Sequence, residues 1–218
     1  MIFFDGLGGT AEDWNAKPLF KIIRDLQPDV IINNRCGLPG DNQTPEQKIG
    51  AFQTDPPWET CMTIGTQWAW KPDDKIKSVK ECVQTLVRVA GNDGNLLFNV
   101  GPMPDGRIEP RQVGRLEEIG DWLDQYGESI YATRGGPIVS GPWGVTTYKD
   151  NKVYVHVLEW EGDSLELPPL EGKILDSELM TGGKVEVVQS EDGVSIKVPR
   201  EDRDPVDTIV VMRVNELP

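Results

Sequence analysis

Short apolar segments alternate with amphipathic helical segments through the first 130 residues, and this pattern restricts the fold more than any other feature of the chain. Four segments predict strands: "MIFFD" (1–5), "DVIINNR" (29–35), "TCMTIG" (60–65) and "GNLLFNVGP" (94–102). Apolar residues at helical spacing predict helices at 16–28, 79–90 and 116–130. Strands that are apolar almost throughout and alternate with helices are typical of a parallel sheet covered by helices.

Two architectures fit this alternation: the closed eight-stranded (β/α)8 barrel and the open doubly wound sheet. No G-x-G-x-x-G motif follows any of the predicted strands. The usual dinucleotide-binding form of the open sheet is therefore excluded.

The composition changes near residue 135. The Gly/Pro-rich stretch "TRGGPIVSGPWG" is followed by short alternating segments: "KVYVHVLEW", "KVEVVQS", "GVSIKV" and "TIVVMRV". Turn residues such as Asp150-Asn151 and Asp192-Gly193 separate them. The sequence thus predicts two domains, an α/β domain over 1–134 and an antiparallel β-sandwich over 135–218.

Charge and cysteine usage exclude several classes of function. The formal net charge is −14, and such an acidic surface repels phosphate backbones, so no nucleic-acid partner is expected. No apolar run approaches the roughly 18 residues of a membrane-spanning helix, so no membrane partner is expected either. Three cysteines without C-x-x-C spacing, and a single histidine, predict buried free thiols rather than a zinc site.

Polar residues collect where the predicted strands end. Asp5 ends the first strand, Arg35 ends the second, Glu46 lies in the loop after it, and Glu59 borders the third. Ligands of parallel α/β folds meet the carboxyl ends of the strands, so we expect these side chains on one rim. Two carboxylates on one rim are the minimum that glycoside hydrolysis needs, one as nucleophile and one as general acid/base.

Tryptophans near these acids, Trp58 and Trp68 among them, offer flat apolar faces on which a sugar ring can lie. Each candidate also has a structural interpretation. Asp5 could be a turn residue, "TPEQ" around Glu46 is typical of a helix start, and Glu59 could be a charge at a loop edge. Paired tryptophans belong to a core more often than to a binding surface.

Six motifs in order carry a resemblance to a known family: "FFDG", "LQPDVIINNR", "GDNQTPEQ", "PWETCMTIGTQWAW", "GNLLFNVGPMPDG" and "RLEEIGDWLDQYGESIYATR". Together they resemble the α-L-fucosidases of glycoside hydrolase family 29. The resemblance covers residues 1 to about 135 and corresponds to the second half of that family's (β/α)8 barrel. The segment beyond resembles the family's C-terminal β-sandwich.

The resemblance implies a retaining exo-α-L-fucosidase that needs no metal or organic cofactor. It implies that Asp5 is the nucleophile, that Arg35 binds the sugar, and that Trp68 packs near the apolar methyl group of fucose. Family members place the general acid/base at either of two sites, which are Glu46 and Glu59 here. The loop spacing favours Glu46, and Glu59 remains the alternative.

The resemblance also carries an expectation about completeness. If Asp5 ends strand four of a barrel, the first half of a fold that takes about 250 residues is absent. Half a barrel exposes sheet edges and an apolar interior. We therefore expect a chain that acts on a fucosylated glycan together with a second chain supplying the first barrel half. The alternative is an inactive fucosidase fragment, or a remnant that binds carbohydrate or protein.

Overall fold

The computed structural model of the protein describes residues 1–6 and 8–216, so the last two residues of the predicted sandwich domain lie outside it. The helices are α1 (Ala16–Leu26), α2 (Val79–Gly91) and α3 (Pro110–Tyr126), and short 3-10 turns cover Gly127–Ser129 and Arg200–Asp202. The first strands are β1 (Glu59–Thr63), β2 (Asn95–Asn99), β3 (Arg134–Gly135), β4 (Gly144–Lys149) and β5 (Lys152–Val157). The others are β6 (Ser164–Leu167), β7 (Ile174–Leu179), β8 (Glu186–Gln189), β9 (Val194–Lys197) and β10 (Thr208–Val214).

A parallel layer forms the first part of the molecule. β1 and β2 pair in parallel, and Cys61 lies opposite Leu97. Single parallel bridges continue the layer on the other side of β1: Glu46 to Cys61, Gln43 to Trp58, Asn33 to Asn42, and Ile2 to Ile32. Five parallel segments thus lie side by side in chain order, in agreement with the prediction of a parallel sheet.

The first two predicted strands lie next to each other but pair only through a single bridge. The Asn33 side chain explains this, since its amide accepts a hydrogen bond from the Phe4 amide N at 2.8 Å and donates one to the Phe4 carbonyl at 3.0 Å. A side chain therefore takes the place of a backbone ladder at this point. The third segment, at 42–46, lies within the stretch 36–57, which is rich in Gly, Pro, Asn, Asp and Thr.

All three helices lie where apolar residues recur at helical spacing in the sequence. α1 packs against Phe4, Ile32 and Cys36, and α2 begins with a capping box in which Ser78 and Glu81 bond reciprocally. α3 begins with Pro110 at its first position and ends at Tyr126. The predicted helix to residue 130 therefore ends one turn early, in the 3-10 turn.

The second part of the molecule is the predicted antiparallel sandwich. One sheet has the order β3-β4-β5-β10-β7 and the other has the order β6-β9-β8. Val155, Val210 and Met212 of the larger sheet and Val194 and Ile196 of the smaller one belong to the same apolar core. This is the inward alternation that two packed sheets require.

The outer face of the five-stranded sheet is covered by helices. Val83 and Val87 of α2 share a second core with Val145, Tyr154 and Ile209 of the sheet. Because this sheet is buried on both faces, its central strands are apolar almost throughout rather than alternating.

A buried polar pair lies at the same junction. The His156 ring contacts the Asp207 carboxylate at 2.7 Å, and both side chains are fully buried. The other ring nitrogen lies 3.3 Å from Thr147 Oγ1, which donates to the Ser129 carbonyl at 2.6 Å. The one histidine of the chain thus links the sandwich to the end of the helical layer.

The three cysteines are buried and free, as predicted. Among the described residues, no helix is both long enough and apolar enough to cross a bilayer.

Candidate active site

Three predicted site residues meet at the carboxyl ends of the parallel segments. Asp5 ends the first segment, Arg35 ends the second, and Glu46 ends the third. Gly6 has a φ of 86°, a conformation that glycine adopts without strain, and it lets the chain turn directly after Asp5. The rim predicted from the strand ends is therefore present for these three residues, but Glu59, the first residue of β1, lies at the amino end of its strand and not on this rim.

Arg35 joins the two acids. Its Nη1 lies 2.9 Å from Asp5 Oδ1 and 2.9 Å from Glu46 Oε2. The two carboxylate oxygens are consequently no farther apart than twice that distance. A retaining glycosidase needs its two carboxyl groups about 5–5.5 Å apart, and this arrangement is compatible with that separation.

The rest of the guanidinium is held by the protein. Nε donates to Thr44 Oγ1 at 2.9 Å, and Nη2 donates to the Thr44 carbonyl at 3.2 Å and to Cys61 Sγ at 3.3 Å. The Phe3 ring lies beneath the group, 5.1 Å from its central carbon. Burial acts to lower the pKa of Arg35, but the hydrogen bond to Asp5 and the nearby Cys61 and Glu46 outweigh it, so the pKa lies above its ordinary value.

The two carboxylates at Arg35 remain open to solvent. Their side chains are 66% exposed for Asp5 and 44% exposed for Glu46, whereas that of Arg35 is 18% exposed. The arrangement is thus a partly buried cation with two accessible acids on its outer side. A substrate can reach both acids from the open face of the sheet.

Glu59, the alternative acid/base, has different surroundings. It begins β1, and its Oε1 is buried with no hydrogen-bond partner among the described residues. Burial raises the pKa of this carboxyl group. A raised pKa suits a general acid, but no ion pair joins Glu59 to Arg35 in the part of the chain that the structure describes.

The two tryptophans differ. Trp58 is only 2% exposed, its ring packs close to Gly50 and Gly94, and its Nε1 donates to the Asn92 carbonyl at 3.2 Å. Trp58 is therefore a core residue, and the expectation that its ring lies against a sugar is wrong for this structure. The close approach of Gly50 and Gly94 to its ring, which leaves no room for a sugar there, is the physical reason.

Trp68 is 40% exposed in the loop after β1. Its carbonyl accepts a hydrogen bond at 2.9 Å from Asn99 Nδ2, which lies at the end of β2. Trp68 thus remains available at the carboxyl ends of the strands, and its contact with the fucose methyl group stays a prediction.

Sequence reasoning did not include Phe3, Thr44 or Cys61 in the site. A signal for them exists, because Phe3 lies two residues before Asp5, Thr44 two before Glu46, and Cys61 two after Glu59. Side chains two residues apart share a face of a strand. Thr44 was interpreted as a possible helix cap, but no helix begins there, and its hydroxyl donates to Asn34 Oδ1 at 3.0 Å.

The described residues contain no group of three or more His, Cys, Asp or Glu side chains that could hold a metal ion. What the site offers is a pair of carboxylates and a fixed cation. One carboxylate can act as a nucleophile and the other carboxyl group can donate a proton. The positive charge of Arg35 can hold both acids in position.

Known proteins resemble this chain in sequence. The family model described as "Alpha-L-fucosidase" matches residues 1–128. The tissue α-L-fucosidase of Rattus norvegicus is 30% identical over 214 residues, which cover 86% of this chain and 45% of that protein. The plasma α-L-fucosidase of Homo sapiens is 29% identical over 179 residues, which cover 73% of this chain and 38% of that protein.

Solved structures agree over nearly the whole chain. α-L-Fucosidase isoenzyme 1 from Paenibacillus thiaminolyticus superposes with a TM-score of 0.86 at 29% identity, covering 98% of this chain and 57% of that one. The α-fucosidase of Thermotoga maritima superposes with a TM-score of 0.73 at 28% identity, covering 93% of this chain and 49% of that one. The chain thus spans less than half the length of the curated relatives it matches. On this likeness of sequence and fold, the chain belongs to the α-L-fucosidase family.

Proposed function

We propose that the chain carries both catalytic carboxylates of a retaining exo-α-L-fucosidase and releases terminal α-L-fucose from glycans. The observation that carries the proposal is the single Arg35 nitrogen that lies 2.9 Å from Asp5 and 2.9 Å from Glu46. Both distances limit the separation of the two carboxylate oxygens to at most twice 2.9 Å, which is compatible with a retaining pair. The identity of the sugar, fucose, is inferred from the family. The short separation of Asp5 and Glu46 supports a retaining course.

The reaction follows a double displacement. Asp5 attacks the anomeric carbon of fucose while Glu46 donates its proton to the departing glycosidic oxygen, and a fucosyl ester forms on Asp5. Glu46, now a carboxylate, then removes a proton from water, which attacks the same carbon and releases fucose and the Asp5 carboxylate. Glu46 gives one proton to the leaving group in the first step and regains one from water in the second.

Glu46 is our first choice for the acid/base, and Glu59 is the alternative. Distance favours Glu46, since it shares Arg35 with Asp5, and burial favours Glu59, whose pKa is raised. We give distance the greater weight, because a proton can be transferred only within hydrogen-bond reach and its pKa matters after that. In the same proposal, Trp68 contacts the methyl group of fucose.

We also propose that the parallel layer is the second half of a (β/α)8 barrel. Its segments follow chain order without the reversal that an open doubly wound sheet requires. Helix α1 covers the face that carries Phe4 and Ile32, while the opposite face carries Phe3, Arg35 and Cys61.

That opposite face is apolar and open. Met1, Ile31 and Leu97 are 56%, 51% and 38% exposed, and within residues 1–6 and 8–216 no strand pairs with the far edge of β2. Exposed apolar surface of this kind is typical of an interface. We propose that further polypeptide, supplied by a second chain, covers it and completes the fucose site.

An alternative is that the chain by itself is an inactive fucosidase fragment that at most binds carbohydrate or protein. The exposure of Asp5 favours this alternative, because a covalent step proceeds best where water is excluded.

The first experiment is hydrolysis of a chromogenic aryl α-L-fucoside by the purified chain, with Asp5→Gly as the matched variant. Where the purified chain assembles a working site, we expect Asp5→Gly to lower turnover by roughly 10³-fold or more, since the covalent step is lost. Turnover that survives Asp5→Gly unchanged would contradict the nucleophile assignment. No turnover by a folded parent chain would favour the inactive alternative.

A second experiment detects the covalent step directly. A solved structure of the Thermotoga maritima α-fucosidase is in complex with a mechanism based inhibitor. We expect a 2-fluoro-fucosyl fluoride probe to add one 2-fluoro-fucosyl mass to the parent chain, on the peptide that contains Asp5, with release of fluoride, and to leave Asp5→Gly unlabelled. Labelling elsewhere would reject the assignment.

A further inference from the structure

Most donors of Arg35 have an acceptor in this structure. A guanidinium carries five N–H groups, and here Nε has one acceptor and Nη2 has two. Nη1 donates to Asp5 and also lies 2.9 Å from Glu46 Oε2. A sugar hydroxyl that binds Arg35 therefore competes with partners that the protein already provides.

Thr44 fixes the plane of the guanidinium. Its hydroxyl and its carbonyl accept from Nε and Nη2, so one residue holds one edge of the group at two points. The hydroxyl hydrogen is directed to Asn34 Oδ1 at 3.0 Å, which leaves the oxygen lone pairs for Arg35. The direction of this hydrogen-bond chain is therefore set by Asn34.

Cys61 connects Arg35 to the backbone of Glu46. Its thiol accepts from Nη2 at 3.3 Å, its backbone amide donates to the Pro45 carbonyl at 3.1 Å, and its carbonyl accepts from Gln47 at 2.9 Å. Burial raises the pKa of the Cys61 thiol, with Glu46 adding to the effect and Arg35 opposing it. The side chain is thus a neutral acceptor that adds no third negative charge beside the two carboxylates.

We propose that Thr44 and Cys61 are positioning residues that hold Arg35 as a fixed cation between Asp5 and Glu46, so that Arg35 acts on catalysis through the two carboxylates. This inference rests on the proposed function and deepens it. It assigns to Arg35 a role different from direct sugar binding.

A shared cation has a consequence for the two steps. In the first step Arg35 faces the ionised Asp5 and the Glu46 group that donates its proton. Once the ester has formed on Asp5, Arg35 faces the Glu46 carboxylate alone, and that carboxylate is the base that activates water.

The test uses two pairs of variants. Thr44→Val and Cys61→Ala remove an acceptor, while Thr44→Ser and Cys61→Ser keep one. The first measurement, made on the whole chain without substrate, is the NMR spectrum of the guanidinium N–H groups of Arg35. We expect separate, slowly exchanging Nη signals in the parent and in both serine variants, and averaged or broadened signals in Thr44→Val and Cys61→Ala. Unchanged Arg35 signals in both acceptor-deleting variants would overturn the proposal.

The second measurement is the pH dependence of aryl α-L-fucoside hydrolysis. We expect the acceptor-deleting variants to lower kcat by roughly 10–100-fold with KM nearly unchanged, by analogy with the loss of groups that orient catalytic ligands. The limb of the profile that reports the acid/base should shift, and the serine variants should restore both kcat and the profile. A raised KM with unchanged kcat would instead mean that Arg35 binds the sugar itself.

The two measurements separate the two proposals. If the parent chain does not hydrolyse the fucoside but Arg35 responds as expected in the NMR spectra, the proposed function fails and the positioning role stands. If one variant does not fold, the variant at the other position gives the same information, because Thr44 and Cys61 contact different N–H groups.

Discussion

Glu46 and Glu59 differ in the groups around them, and a chemical rescue experiment tells their roles apart. We expect Glu46→Ala to lower turnover by about 10²–10⁴-fold, the range that general acid/base catalysis contributes. Azide should restore turnover in that variant, because it attacks the fucosyl ester without needing a base and yields fucosyl azide. Glu59→Ala is the matched control, and we expect no azide effect there. Rescue of Glu59→Ala alone would reverse the assignment.

The surroundings of Glu59 also predict how stability depends on pH. Burial raises the pKa of Glu59 above the ordinary value of 4.5, so the folded chain binds this proton more tightly than the unfolded chain does. The contribution to stability is therefore complete below the ordinary pKa and is lost as the pH rises through the raised one.

We accordingly expect Glu59→Gln to increase the free energy of unfolding at neutral pH and to change it little below pH 4.5. Urea denaturation of both chains between acidic and neutral pH measures the difference. A difference that is larger at acidic than at neutral pH would contradict this account of Glu59.

The convergence of Asp5, Arg35 and Glu46 could be predicted from the sequence, because parallel strands bring their carboxyl ends to one edge. For Trp58 the sequence allowed a core role and a sugar-binding role, and the choice between them depends on the close approach of Gly50 and Gly94. The contacts of Arg35 depend on the exact pairing of Cys61 with Glu46, and pairing between segments is set by three-dimensional contacts.

At the level of elements, two helical glycines provide a matched pair. A Cβ at Gly91, the last residue of α2, would lie 2.3 Å from Val145 Cβ, whereas a Cβ at Gly120 in α3 would have no neighbour within 4 Å. We expect Gly91→Ala to destabilise the chain by about 1–3 kcal/mol through overpacking. Gly120→Ala should stabilise it by about 0.5–1 kcal/mol through helix propensity.

Urea denaturation at a single pH compares the two alanine variants with the parent. Equal effects in the two would mean that α2 does not pack tightly on β4, contrary to the contact between Gly91 and Val145.

The helices could be predicted because their apolar residues recur at one period over several turns. The segment at 42–46 could not, since it contains Pro45 and polar residues and pairs with its neighbours through single bridges. Its position in the sheet comes from contacts on both sides, with Asn33 on one and Trp58 and Cys61 on the other. The strand propensity of its residues gives no indication of such a segment.

For the whole molecule, the open apolar face predicts association. We expect the purified chain to form larger species as its concentration rises, because Ile31 and Leu97 are 51% and 38% exposed on one face. Ile31→Lys should shift the chain toward the monomer. Leu26→Lys is the matched control, since Leu26 is 78% exposed at the end of α1, away from that face. Sedimentation velocity measures the distribution, and an equal effect of both variants would exclude a specific role of this face.

The two-part architecture could be predicted from the change in composition near residue 135, but the junction between the parts could not. Gln84 of α2 donates to the Val206 carbonyl at 2.9 Å, across 122 positions in the sequence. Contacts between residues so far apart in the sequence cannot be predicted from local sequence patterns. Through such contacts the sandwich supports the helices that cover β1 and β2.

The five-stranded sheet is buried between the helices and the smaller sheet. This burial also determines the order in which regions of the chain unfold. Backbone amides of β5 and β10 are covered on both faces and paired on both edges, so their protons should be among the last to exchange with solvent deuterium. Amides near Asp5 and Ile31 lie at the open edge and should exchange early. We therefore expect the rim around Asp5 to open more readily than the five-stranded sheet, and a partner chain of the proposed kind to slow exchange there most.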